Sequence, residues 1–136
     1  MGTRVVLDTN ILISALGWNG KPEQCLQLVF EDEIEAYATQ EMIDEFSQVL
    51  EYDKFPFTEK EKQSFLEIVV AEFEFADSKI NVSASVDSAD DIFLECAAAV
   101  DADYLISGDS DLLQLNEFRD IPILTAEEFL GEHATD

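Results

Sequence analysis

Basic residues are scarce in this chain: five lysines and two arginines face 31 aspartates and glutamates, for a net charge of −24 over 136 residues. Such a surface repels nucleic acid and membranes at low ionic strength. Cysteine is almost missing too. Cys25 and Cys96 sit in apolar helical patterns without a CxxC or CxxxH spacing, which argues for two reduced, buried thiols and against a zinc site. The only histidine, His133, falls in a polar C-terminal stretch and reads as a surface residue. No long apolar run occurs, because Asp8, Thr9, Asn10 and Ser14 interrupt the stretch from Val5 to Leu16. Neither the basic start nor the cleavage site of a signal peptide is visible, so the expectation is a soluble cytoplasmic protein that does not engage a membrane. Gly17 and Gly20 do not fit the GxxxxGK[ST] phosphate loop, and no Gly-x-Ser-x-Gly elbow occurs.

What is present is a folding composition. Apolar residues make up 47% of the chain, far too many for a disordered acidic tail. The length suits one domain, expected over 1–131, with a polar tail over 132–136. Two accounts of the acidity compete: cations as working partners, or life in concentrated salt, where the Debye length shrinks to roughly 3 Å near 1 M. Acids spread over every segment suit the second, a salt-adapted cytoplasm.

Strands and helices alternate. Residues 4–7 read as a buried strand, followed by a short helix through Leu16 and a loop at 17–20. Pro22 suits the first turn of a second helix, and 36–38 reads as a weak strand. Thr39 caps a helix carrying Met42, Ile43, Phe46, Val49 and Leu50, which breaks over Tyr52 to Pro56. Thr58-Glu59-Lys60-Glu61 is a capping box opening a helix with Phe65, Leu66, Ile68, Val69 and Phe73 inward. A strand over 79–82, an alanine-rich helix opened by Ser88 and running to about Val100, a strand over 104–106, a short helix over 109–115, a strand over 121–124 and a helix capped by Thr125 complete the pattern. The fold class is therefore α/β, a mostly parallel β-sheet flanked by helices.

Acids end several of these apolar runs: Asp8 after the first strand, Glu45 beside Asp44 on a helix, Asp91 beside Asp90 at a helix start, and Asp109 after another strand. Right-handed crossovers bring strand ends to one edge of a parallel sheet, where α/β domains bind ligands, and Asp8, Asp91 and Asp109 converge there. Each also has a plainer reading. An aspartate at a helix N-terminus stabilises the helix by roughly 0.5–2 kcal/mol as a cap or in the dipole field, and Glu45 alone fits a solvated helix face. Gathered together, carboxylates repel unless a cation lies between them, and hard oxygens without histidine select Mg²⁺ or Mn²⁺. Hydrolysis of a phosphodiester by metal-activated water is the chemistry such a site supports.

Taken in order, Val6-Leu7-Asp8-Thr9-Asn10, the Ile43-Asp44-Glu45 helix with Tyr52-Asp53-Lys54-Phe55 after it, Asp90-Asp91-Ile92-Phe93-Leu94 and Ile106-Ser107-Gly108-Asp109-Ser110-Asp111 resemble the PIN domain nucleases. Within them the chain is most similar to the toxin components of type II toxin–antitoxin systems. The resemblance runs from Val5 to about Leu130 and implies a three-layer α/β/α fold. It implies Mg²⁺- or Mn²⁺-dependent cleavage of single-stranded RNA that leaves 5′-phosphate ends. Carried over by position, Asp8, Glu45, Asp91 and Asp109 match the family's metal-binding acids, with Asp111 accessory and Asp44 and Asp90 ranked below their neighbours. Thr9 and Asn10 match the polar pair expected to brace Asp8, and Ser107 takes a bracing position often held by threonine. The chain departs from the family in charge. Lys21, Lys54 and Arg119 are candidates for phosphate contacts, and Trp18 for stacking on a base, with surface charge and loop packing as their plainer roles. Family habit adds an antitoxin partner and a homodimer formed through helices between residues 40 and 75.

Two other readings stand beside the ribonuclease. One is a non-catalytic PIN-fold interaction protein whose acids are caps and whose apolar helices dock an antitoxin. The other is a phosphoryl-transfer enzyme with Asp8 as nucleophile, weakened because Asn10 stands where haloacid-dehalogenase-type phosphatases carry a second aspartate.

Overall fold

The computed structural model describes residues 2–77 and 90–134. Its first strand, β1 (Thr3–Leu7), has Val5, Val6 and Leu7 fully buried, as a β-branched run covered on both sheet faces requires. The helices α1 (Thr9–Gly17) and α2 (Lys21–Phe30, with Pro22 in its first turn) lead to β2 (Ile34–Ala38). The Thr39 hydroxyl accepts from Met42 N to cap α3 (Gln40–Leu50), whose Met42, Phe46 and Leu50 enter the core. The capping box at Thr58 forms in full: Thr58 Oγ1 accepts from Glu61 N, and Glu61 Oε1 accepts from Thr58 N. It opens α4 (Glu59–Glu72), of which only Val69 is buried within the helix, while Phe65, Leu66 and Ile68 are half-buried.

Beyond α4 lies a short strand that the sequence pattern does not announce, β3 (Glu74–Phe75). The strand expected at 79–82 and the Ser88 cap fall outside the described residues. The chain continues through α5 (Asp91–Ala99), β4 (Tyr104–Ile106), α6 (Ser110–Leu113), β5 (Glu117–Phe118), β6 (Ile121–Leu124) and α7 (Ala126–Ala134). β5 is a second unannounced strand. It pairs antiparallel with β6 around Arg119-Asp120, whose φ values of 51° and 66° are those of a mirror-image hairpin turn. α7 continues through 132–134, where a polar tail was expected. His133 is half-buried in its last turn, stacked 5.7 Å from Phe129 and with Nε2 3.6 Å from Glu33 Oε2.

The strands form one sheet in the order β3-β2-β1-β4-β6-β5, parallel except for the last pair. Helices cover both faces: α5 lies on β1 and β4, while α7 lies on β4 and β6 and packs against α2. The expected three-layer α/β/α architecture is the observed one. The chain steps from β1 outward to β3 and then returns to β1's other side as β4. The C-terminal ends of β1 and β4 thus form the crevice where the strand order reverses. No described helix is long and apolar enough to cross a membrane.

Candidate functional site

Asp8 follows β1 at this crevice, and Ser107-Gly108-Asp109 follows β4 beside it. Asp8 N donates to Ile106 O at 3.1 Å, so the sheet ladder fixes the two strand ends against each other. The Asp8 carboxylate is 2% exposed and accepts three hydrogen bonds: Oδ1 from Ile11 N (2.8 Å), Oδ2 from Ser107 Oγ (2.5 Å) and Gly108 N (3.1 Å). Burial nonetheless raises its pKa from 3.8 to about 6; the three hydrogen bonds oppose the rise and the neighbouring Asp109 carboxylate adds to it. Asp8 is therefore also the cap of α1, and that role uses only Oδ1.

Ser107 Oγ carries the order onward by accepting from Asp109 N at 2.9 Å. Asp109 then caps α6, its Oδ1 accepting from Asp111 N at 2.7 Å. One buried hydroxyl thus couples the strand-end acids on both sides of the crevice.

At the start of α5 the structure divides the two neighbouring acids. Asp90, not Asp91, lines the cleft, and carboxylate oxygens of Asp90, Asp109 and Asp111 lie within 4.8 Å of one another. The reason is helical phase. Asp91 shares its side of α5 with Leu94, which is wholly buried, whereas Asp90 stands three residues before Phe93, and both border the cleft. Asp91 is buried in the first turn of α5. At the α3 pair, Glu45 lines the cleft, while exposed Asp44 accepts from Gln40 Nε2 on the outer face of the helix.

The polar pair is divided as well. Thr9 Oγ1 donates to Glu45 Oε2 at 2.5 Å, so Thr9 orients Glu45 and not Asp8. Asn10 borders the cleft but makes no hydrogen bond to Asp8 among the described residues. Asp8, Glu45, Asp90 and Asp109 thereby surround a cleft of about 270 Å³ whose outer wall is Val49, Tyr52, Lys54 and Phe55. Of the three cations proposed for phosphate contact, Lys54 alone is on this wall. Lys21 opens α2 and Arg119 sits in the β5–β6 turn over Phe118, both away from the cleft lining. Trp18 packs on Phe55 and Phe57, with ring centroids at 6.4 and 5.7 Å, and lies outside the cleft lining. The sequence motif that contains Tyr52 and Phe55 gave neither of them a role in the site. The one available signal was aromatic residues flanking Lys54 in the helix break.

An ion fits this donor set by its chemistry. All donors are hard oxygens, two acids are nearly buried, and no histidine or cysteine lines the cleft.

The PIN domain family model matches residues 4–111, from β1 through Asp111. In fold the protein is similar to VapBC2 from Rickettsia felis, solved bound to a DNA fragment from its promoter (TM-score 0.62, 16% identity, covering 89% of this chain and 97% of that one). It is similar to PAE2754 from Pyrobaculum aerophilum (TM-score 0.66, 12% identity, 98% and 91%) and to FitAcB from Neisseria gonorrhoeae (TM-score 0.56, 12% identity, 90% and 98%). Comparison of the sequence with curated proteins returns no match.

Proposed function

Because the chain belongs to the PIN domain family, we propose that it is a metal-dependent endoribonuclease, hydrolysing phosphodiester bonds of single-stranded RNA as the cytoplasmic toxin of a toxin–antitoxin pair. The observation that carries this reading is the meeting of carboxylate oxygens of Asp90, Asp109 and Asp111 within 4.8 Å of one another, with Asp90 and Asp109 lining a cleft also bordered by Asp8 and Glu45. Asp90, Asp109 and Asp111 would hold the ion, and Asp8, fixed by its three hydrogen bonds, would add negative charge to the site. When bound, Mg²⁺ or Mn²⁺ offsets the phosphodiester charge and activates the attacking water. Glu45 has Oε2 engaged by the Thr9 hydroxyl, which leaves Oε1 to orient the water and accept its proton. Lys54 meets a phosphate at the cleft mouth.

An antitoxin and a second copy of the chain are the proposed protein partners. Support for the antitoxin comes from the fold likeness to the toxin–antitoxin complexes VapBC2 and FitAcB. A surface open to a partner lies on α4, where Leu66, Val70 and Ala71 floor a groove of about 580 Å³ rimmed by Glu51, Glu59, Lys62, Gln63 and Glu67.

Cleavage of labelled single-stranded RNA at high KCl, with Mn²⁺ or chelator, tests the enzyme reading. Asp90→Asn is expected to lose activity by at least about 100-fold with an unchanged thermal midpoint, while Asp91→Asn keeps activity in proportion to its folded fraction. Metal-independent cleavage, or full activity in Asp90→Asn, overturns this assignment. No cleavage together with no metal-dependent rise in melting temperature favours the binding-protein reading.

A further inference from the structure

The cleft that takes a polyanion is lined by four acids and one cation, in a chain of net charge −24. Beyond the phosphate at the ion, charge attraction therefore rests on Lys54 alone, and the rest of the binding must come from the cleft wall. The wall is aromatic. Phe55 is already engaged, stacked on Phe57 at 5.7 Å and 14° and covered by Lys54 Nζ at 5.2 Å. Trp18 is held by the same pair, and Phe65 meets Phe57 edge-on at 5.1 Å. Tyr52 is the exception: it borders the cleft, is 53% exposed, and has no ring partner among the described residues.

Its position is fixed beforehand. Tyr52 N donates to Val49 O and Phe55 N to Tyr52 O, so the break after α3 is a hydrogen-bonded turn. The aromatic cluster anchors that turn to the end of α1, where Gly17 allows close approach. A Cβ there would stand 2.8 Å from the Phe57 ring. An exposed tyrosine ring on a fixed turn, with only two side-chain torsions to settle, loses little entropy on taking up a flat partner.

We propose that Tyr52 is the base platform of the substrate cleft: an unstacked base of single-stranded RNA lies on its ring while the adjoining phosphate meets Lys54. The proposal rests on the ribonuclease reading and deepens it, because it makes recognition a matter of stacking with one charge contact. Two consequences follow. Duplex RNA, whose bases are not available to stack, is not bound. Affinity also changes little with salt: one neutralised phosphate gives a slope of about −0.7 in log K against log[KCl], where six would give roughly −4. Repulsion from the acidic surface, screened by salt, makes the slope shallower still.

The test is fluorescence anisotropy of a labelled single-stranded RNA decamer with Ca²⁺ over a series of KCl concentrations, paired with Mn²⁺ cleavage kinetics. Wild type, Tyr52→Phe, Tyr52→Leu and Lys54→Ala are compared. Tyr52→Leu is expected to weaken binding and raise KM roughly 5- to 150-fold, Tyr52→Phe to retain both, and Lys54→Ala to remove the remaining negative slope. Thermal midpoints should stay level, since the ring is exposed. Unchanged KM in Tyr52→Leu, a slope steeper than about −3, or equal binding of duplex RNA overturns the platform while leaving the nuclease standing. A wild type that neither binds nor cleaves RNA removes the function itself.

Discussion

Replacing Asp8 by asparagine should make the protein's stability respond to pH differently, with a sign fixed by the burial of this carboxylate. Asp8 holds its proton more tightly in the folded chain, with a pKa of about 6, than the ordinary value of 3.8. The stabilisation this gives is fully present below about 3.8 and is lost as pH rises through about 6. A gap of roughly two pH units corresponds to about 3 kcal/mol. Asparagine has nearly the same shape and no such titration, although its amide nitrogen cannot accept from Gly108 N as Oδ2 does. That lost bond offsets the variant by a constant amount; it does not change with pH. Urea unfolding in chelator and high KCl, from about pH 4 to about pH 7.5, isolates the effect, because the difference between the two proteins cancels the other acids. The wild-type stability should fall by up to about 3 kcal/mol relative to Asp8→Asn across that range. An ion at about 100 times its Kd should then return about 2.7 kcal/mol to the wild type. A difference that stays flat with pH, or that grows in favour of the wild type in chelator, refutes the argument.

Ser107→Ala removes both the hydroxyl that donates to Asp8 and the acceptor of Asp109 N. Destabilisation of about 1–3 kcal/mol and weaker metal binding by calorimetry are expected, because both acids lose a brace. Thr58→Ala ends the capping box of α4 outside the cleft lining, so a loss of about 0.5–2 kcal/mol in urea unfolding with unchanged kcat is expected. With 31 acids against 7 bases, the unfolding midpoint should climb as KCl is raised. A midpoint independent of salt would count against a salt-adapted surface.

Several elements were legible because local rules and tertiary structure agree. The β-branched run of β1, the capping threonines at 39 and 58 and the helical spacing of α3 each name their own conformation. β3 and β5 were not legible. Each has two residues, and the β5–β6 turn is Arg119-Asp120 in place of the glycine-bearing pair that normally marks such a hairpin. The last turn of α7 was read as tail because its residues are polar; stacking of His133 on Phe129 is a contact that no local pattern encodes.

By itself the sequence determined the α/β alternation, the acid-rich strand ends and the hard-oxygen chemistry, because these depend on residue type and short-range period. Only the tertiary structure decided which member of each acidic pair borders the cleft. Asp90 and Asp91 differ by about 100° of helical phase, and which direction faces the cleft depends on where the core lies against α5. The same holds for Thr9, whose hydroxyl meets Glu45 across 36 residues of chain, and for Tyr52, left open because Trp18 and Phe57 engage Phe55. Contacts between distant segments are set by packing, and packing is a property of the folded chain.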